Sequence, residues 1–289
     1  MNMTGAVAQI DSKALENRPV QNVSTALQGT MPGVQVTSGG GRPGQDGGTI
    51  RVRGVGTLNT ADPYILVDGI ETGTMNSVDP NDIESISVLK DAASAAIYGS
   101  KASNGVILIT TKRGAVQKPT VTYNGSLTLS QNTDFPKFLN GPDYAYWYNK
   151  AQLLDGVAEE NLRFSPEEID RITNPGENEH IYGNTDWFDL LFRNTAPTYT
   201  NNVSVSGGTE KIKFFASVGA YNQEGIIKRT SYDKYNFRSN MDAKITDNFD
   251  LSLDLSGYVS EQDEPGASAG VGSYASIFQQ ALLSYPYLK

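Results

Sequence analysis

Beyond residue 114 the chain alternates apolar and polar positions with a period of two. Val121, Tyr123, Leu127 and Leu129 are set against Thr122, Asn124, Ser126, Thr128 and Ser130. Ile212, Phe214, Ala216, Val218 and Ala220 are set against Lys213, Phe215, Ser217, Gly219 and Tyr221. The sharpest case sets Phe249, Leu251, Leu253 and Leu255 against Asp250, Ser252, Asp254 and Ser256. This period predicts β-strands with one apolar and one polar face. Weaker copies lie at 199–206 and 232–244. Gly207-Gly208-Thr209 and Thr246-Asp247-Asn248 predict tight turns, whereas the link at 132–197 is far too long for a hairpin loop and predicts helices of its own. A further helix is predicted at 273–283.

Before residue 114 the texture is mixed. Strands are predicted at 6–10, 34–37, 49–53, 64–68, 85–90 and 105–112, with a helix at 23–28 capped by Asn22 or Ser24 and an Ala-rich helix at 91–98. Residues 38–48 (SGGGRPGQDGG) are too rich in Gly for regular structure and predict a loop. The reading is an α+β domain over 1–115, followed over 116–289 by antiparallel strands with one long loop at about 132–197.

Two architectures carry such strands. A soluble β-sandwich alternates, and so does a transmembrane β-barrel, whose short turns gather at one rim and whose long loops gather at the other. The long first loop and the domain ahead of it favour the barrel. Five strands cannot close one: an open sheet leaves two unpaired edges, and plugged outer-membrane barrels use about 22 strands. The expectation is an incomplete barrel, the N-terminal part of a larger protein, with no export signal at its start.

Composition removes several classes. The net charge of −9 argues against nucleic-acid binding, which needs clustered Lys and Arg. With no Cys and a single His, His180 in a polar stretch, no thiolate metal site can form, and neither metal nor cofactor is expected. The Gly-rich loop lacks the Lys-Ser/Thr ending of a phosphate cradle. No pair of carboxylates and no nucleophile elbow stands out, so no catalytic residue is assigned and no enzyme activity is expected. No window reaches the roughly 20 apolar residues of a membrane helix.

An ordered set of motifs goes further. VQNVSTALQGTMPG (20–33), IRVRG (50–54), YILVDG (64–69), PNDIESISVLK (80–90) and the run 91–114, then SVSGGTEKIKFFASVGAYNQEG (204–225), together span nearly the whole chain. In this order they resemble the plug domain and first barrel strands of TonB-dependent outer-membrane transporters, closest to the SusC/RagA family. The resemblance implies active import of a large nutrient, an oligosaccharide or a peptide, across the outer membrane of a Gram-negative, Bacteroidota-type envelope. It also implies a SusD-like surface lipoprotein as lid, TonB acting through a segment missing from this chain, and outer-membrane lipid around the strands. A soluble plug-like binding or signalling module, and a β-sandwich carbohydrate-binding protein, are the alternatives.

Site residues follow from the same resemblance. The Gly-rich loop and the segments after RVRG and VDG would face the cavity, making Arg42, Asn59, Thr60, Asp62, Glu71 and Thr72 candidate substrate contacts, unless they only form turns. Arg51 and Arg53, two apart on one strand, would share a face. They latch the plug to acidic residues of the barrel wall, or else pair inside the plug with Glu84 or Asp91. The aromatic residues Tyr144, Tyr146, Trp147, Tyr148, Tyr182, Trp187 and Phe188 of the long loop offer a sugar-stacking or docking surface, a small satellite core, or an interfacial girdle.

Overall fold

A computed structural model describes residues 7–13, 22–54, 61–91, 95–176, 182–264 and 274–288. Contacts gather the chain into two compact units. One holds residues 1–129, 197–225 and 231–263; the other holds 130–196, 226–230 and 264–289.

The first unit contains the N-terminal domain and all the long strands. In the domain, β1 (Val7–Asp11), β6 (Ile83–Leu89), β7 (Val106–Thr111), β4 (Tyr64–Val67) and β5 (Ile70–Glu71) form one sheet in that order, with β4 and β7 parallel. A hairpin of β2 (Val34–Ser38) and β3 (Gly48–Val52) packs on it beside the short helix α1 (Val23–Ala26). Val23, Leu27, Ile50, Ile83, Ile86, Val88, Ile107 and Ile109 close a core from which water is excluded. Asn22 occupies the N-cap position of α1 without capping it; its amide instead donates to Asp46 at 2.6 Å. Of the helix expected at 91–98, Ala95 N–H bonds to Asp91 O at 3.1 Å in the α-helical i to i−4 pattern, and the turns tighten from Ala96 onward. Residues 92–94 lie outside the described residues, and Ala96–Asn104 winds as 3-10 turns broken at Gly99, whose φ of 67° no right-handed helix admits.

The long strands β8 (Gln117–Ser130), β9 (Ala196–Gly208), β10 (Ile212–Glu224), β11 (Ser231–Thr246) and β12 (Phe249–Asp263) form a second antiparallel sheet in sequence order. At 13 to 16 residues they exceed the roughly 9–11 needed to cross a bilayer at a tilt. The barrel is not closed, and β8 and β12 lie at the sheet margins. Its polarity is the reverse of a soluble sandwich. Cross-strand rows such as Val203–Val218–Phe237 and Phe214–Met241–Leu253 run along one face, and on that face Val218 is 65% and Phe237 54% exposed. The row Asn202–Gly219–Asn236–Tyr258 and its neighbour Ser204–Ser217–Arg238–Ser256 run along the other, where Asn202 and Asn240 are 1% exposed. In water such a sheet would bury its polar face and expose its apolar one, whereas lipid on one side and a polar filling on the other satisfy both.

The second unit is the long loop with its companions. It carries α2 (Gly141–Leu154), α3 (Pro166–Thr173), α4 (Trp187–Leu191) and α5 (Tyr274–Leu283), the helices expected there. Ser165 and Glu168 close a capping box at the start of α3. Two satellite cores hold it together: Phe188, Phe192, Ile227 and Ala281 in one, Ala145, Phe164 and Ile172 in the other. Buried Asn149 both donates to Phe164 O (2.6 Å) and accepts from Phe164 N (3.1 Å). Of the loop aromatics, Tyr144, Tyr182, Trp187 and Phe188 pack into these cores, while Tyr146, Trp147 and Tyr148 stand exposed on α2.

Candidate functional site

The site is the seam where the N-terminal domain meets the polar face of the sheet. Strand β11 reads that domain at five successive inward positions. Lys234 Nζ donates to Asn76 O at 2.5 Å, and Asn236 Nδ2 donates to Asp79 at 3.4 Å. Arg238 donates to Asp68 at 3.3 Å, and Asn240 Nδ2 donates to Thr111 Oγ1 and Lys112 O, both at 2.9 Å. Asp242 accepts from Arg113 at 3.0 Å. The period of two dictates this, because only every second side chain of a strand points to a given face. The neighbouring strands add Asn202 to Asp79 (3.0 Å) from β9, and Gln223 to Asp46 (3.1 Å) from β10. From β12, Asp254 accepts from Arg113 (2.7 Å) and Gln262 donates to Pro43 O (2.9 Å). Arg113 therefore forks across two strands, a geometry its planar guanidinium suits and an ammonium does not; both carboxylates hold its pKa above the ordinary arginine value, Asp254 the more strongly.

Local backbone chemistry sets the domain's side of the seam. Asp68 takes φ 49° ahead of Gly69 at φ 86°, a left-handed pair that turns β4 into β5. The turn aims the Asp68 carboxylate at Thr111, whose N–H (2.9 Å) and Oγ1–H (2.6 Å) both donate to it, and at Arg238. Asp79 caps the 3-10 turn Pro80–Asp82 by accepting from Asn81 N at 2.8 Å. Asp82 closes that turn fully buried, and burial, reinforced by the Asp79 charge, pushes its pKa up to about 6. The approach is close: a Cβ on Gly219 of β10 would stand 2.5 Å from Asp79 Oδ2 and Asn236 Oδ1. Where the domain hands over to β8, a Cβ on Gly114 would meet the Phe214 backbone at 2.3 Å. A cavity of about 450 Å³ lies along the seam, lined by Asp68, Asp79, Asp82, Asn236, Arg238 and Tyr258 among others.

The residues singled out by sequence fall elsewhere. Arg51 pairs with Asp62 at 2.5 Å, inside the domain. Arg53 does not share its face: β3 ends at Val52, and Arg53 turns away at φ 59°, exposed. Arg113 and Asp68 make ion pairs to the sheet. Asn59 and Thr60 lie outside the described residues. Glu71 accepts from Lys101 (2.7 Å) and Tyr64 OH (3.2 Å), with Lys101 over the Tyr64 ring, and the Lys101 hydrogen bond holds the Glu71 carboxyl below its ordinary range. Thr72 follows directly, its N–H on Ile65 O and its hydroxyl on Thr74 O. Glu71 and Thr72 thus gather on the β4–β5 hairpin, just after Asp62. Arg42 bonds to Gln45 (3.2 Å) in the Gly-rich loop, which is held to the sheet through Gly44 N and Gln223. Sequence reading missed Asp68, Arg113, Asn202, Asn236, Arg238, Asn240 and Asp242 as a set. The only available signal was the run of polar inward residues on β11.

Comparison with known proteins fits this geometry. The TonB-dependent Receptor Plug Domain family model matches residues 1–106. TonB-dependent receptor P26 of Formosa agariphila is 36% identical over 270 residues, covering 91% of this chain and 26% of that protein. TonB-dependent receptor SusC of Bacteroides thetaiotaomicron is 35% identical over 251 residues, covering 83% of this chain and 23% of that one. The RagAB peptide importer in its closed-closed state superposes with a TM-score of 0.80 at 27% identity, over 99% of this chain and 34% of the solved one. A plug docked by polar bonds on an apolar-out antiparallel sheet is the architecture of a TonB-dependent receptor, a protein of the outer membrane. Within that class the chain belongs to the SusC/RagA family. It spans about a quarter of the length of the curated relatives it matches.

Proposed function

We propose that the whole protein imports a large nutrient, an oligosaccharide or a peptide, across the outer membrane of a Bacteroidota-type envelope, driven by TonB. One observation carries the reading: a row of hydrogen bonds and ion pairs fastens the plug to the wall, while rows of the wall's apolar side chains point the other way. Polar bonds can be exchanged for water as a plug moves, whereas an apolar seam would have to expose its surface. The solved relatives described as peptide importers support a peptide, and the likeness to SusC supports membership of the same receptor type. A SusD-like lipoprotein would cover the outer opening, and TonB would supply the drive from the periplasmic side. Arg42, Asn59, Thr60, Asp62, Glu71 and Thr72 are the plug residues proposed to meet substrate. The test is uptake by cells lacking the gene and complemented with the full-length one, using a panel of labelled oligosaccharides and peptides with and without a protonophore. Protonophore-sensitive uptake of one panel member that depends on the gene is expected. Uptake insensitive to both would overturn the proposal.

A further inference from the structure

At the centre of the seam two carboxylates share one donor. Asn202 Nδ2 lies 3.0 Å from Asp79 Oδ2 and 3.5 Å from Asp82 Oδ1, which brings both acids onto a single nitrogen. The two are unequally served. Asp79 also accepts from Asn81 N, Asn81 Nδ2 and Asn236 Nδ2. Asp82, 1% exposed, has the long Asn202 bond and Ser217 beside it. Neighbouring cations do not neutralise the pair. Arg238 is already matched to Asp68, and Lys234 spends a donor on Asn76 O. The charged groups facing Asp82 are therefore Asp79 from its own turn and Arg238 and Lys234 from β11, with β9 and β10 presenting only the neutral Asn202 and Ser217.

We propose that the Asp79–Asp82 pair is a proton-operated catch, seating the plug more firmly on the wall when one proton is held between the two acids than when both are ionised. Two like charges under a wall of low polarisability repel and are poorly solvated, and moving the plug off the wall restores their water. The sign follows from linkage. Asp82 takes up its proton more readily seated than exposed, so the added firmness is complete below the exposed value of about 3.8 and disappears as pH rises through about 6. Between pH 7.5 and pH 5 this amounts to about a tenfold change in the seated-to-displaced ratio. The inference concerns the seat alone, so it is tested without transport, and its failure leaves the import reading untouched.

The experiment is hydrogen exchange of the full-length protein in detergent at pH 5 and pH 7.5, corrected for intrinsic rates, with β11 amides as internal reference. Protection across Ile83–Leu89 relative to β11 is expected to rise about tenfold at pH 5, and Asp82→Asn should abolish the rise and hold protection at its higher level. Asp79→Asn, which removes the neighbouring charge and leaves the burial, should shrink the rise. A flat ratio in the unmodified protein, or an undiminished rise in Asp82→Asn, would overturn the catch.

Discussion

Asp68 and Arg238 meet at 3.3 Å with their side chains 7% and 8% exposed, one in a left-handed turn of the plug and the other midway along β11. Their sequence separation is 170 residues. Because the pair is buried, its two halves are not equivalent to removing it whole. Arg238→Ala should destabilise plug docking by roughly 3–5 kcal/mol, since Asp68 is then left desolvated with only Thr111 to serve it. The double variant Asp68→Leu/Arg238→Met should cost markedly less. Urea titration of plug protease resistance in the full-length protein distinguishes the two, and equal losses would contradict the assignment.

Gly219 is held to hydrogen by the plug itself. Gly219→Ala places a methyl group against Asp79 Oδ2 and Asn236 Oδ1, and should weaken docking by roughly 1–3 kcal/mol. Thermal melting of the plug, followed by proteolysis, checks it. An unchanged midpoint would mean the plug does not approach β10 this closely.

The wall's outward face offers a test of opposite sign to intuition for a soluble protein. Leu253→Arg should reduce folding stability in lipid by about 2–4 kcal/mol if the position lies near the bilayer midplane, and by less near a rim. Ser260→Ala, exposed on the polar face, should stay within about 0.5 kcal/mol. Heat-modifiable gel mobility of the full-length protein in liposomes reports both.

The proposed substrate contact Glu71 can be tested apart from the seat. Glu71 and Lys101 are exposed and bond to each other rather than to the wall. Glu71→Ala should raise the half-saturating substrate concentration of uptake several-fold with the maximal rate and plug docking unchanged. Loss of docking would place Glu71 in the seam instead.

The fold was legible where a repeating pattern reported a single environment. Leu251, Leu253 and Leu255 announced an apolar face by period alone, and Val106 to Ile109 announced a buried strand by continuity. The seam was not legible, because its partners are joined across more than a hundred residues and each is an ordinary polar residue until its counterpart is known. Asp68 read as a turn former, which it is; its second role depends on where β11 lies. Arg51 and Arg53 lose the expected shared face for a local reason: the strand stops one residue short of Arg53, which takes a left-handed φ. The Ala-rich run was legible as helical turns ending at Tyr98, but not as 3-10 turns that resume beyond Gly99 at φ 67°.

The five contacts of β11 stand in file along one strand, from Lys234 to Asp242, instead of abreast. Fasteners in file part like a zip: a load entering at one end strains the first rung, with its neighbours on the adjoining strands, before the second, so the peak force is that of one row and not of the whole ladder. The last rung, Arg113, adjoins the segment that runs covalently into β8, and there a stopper peeled from its far end would remain tethered and find its way back.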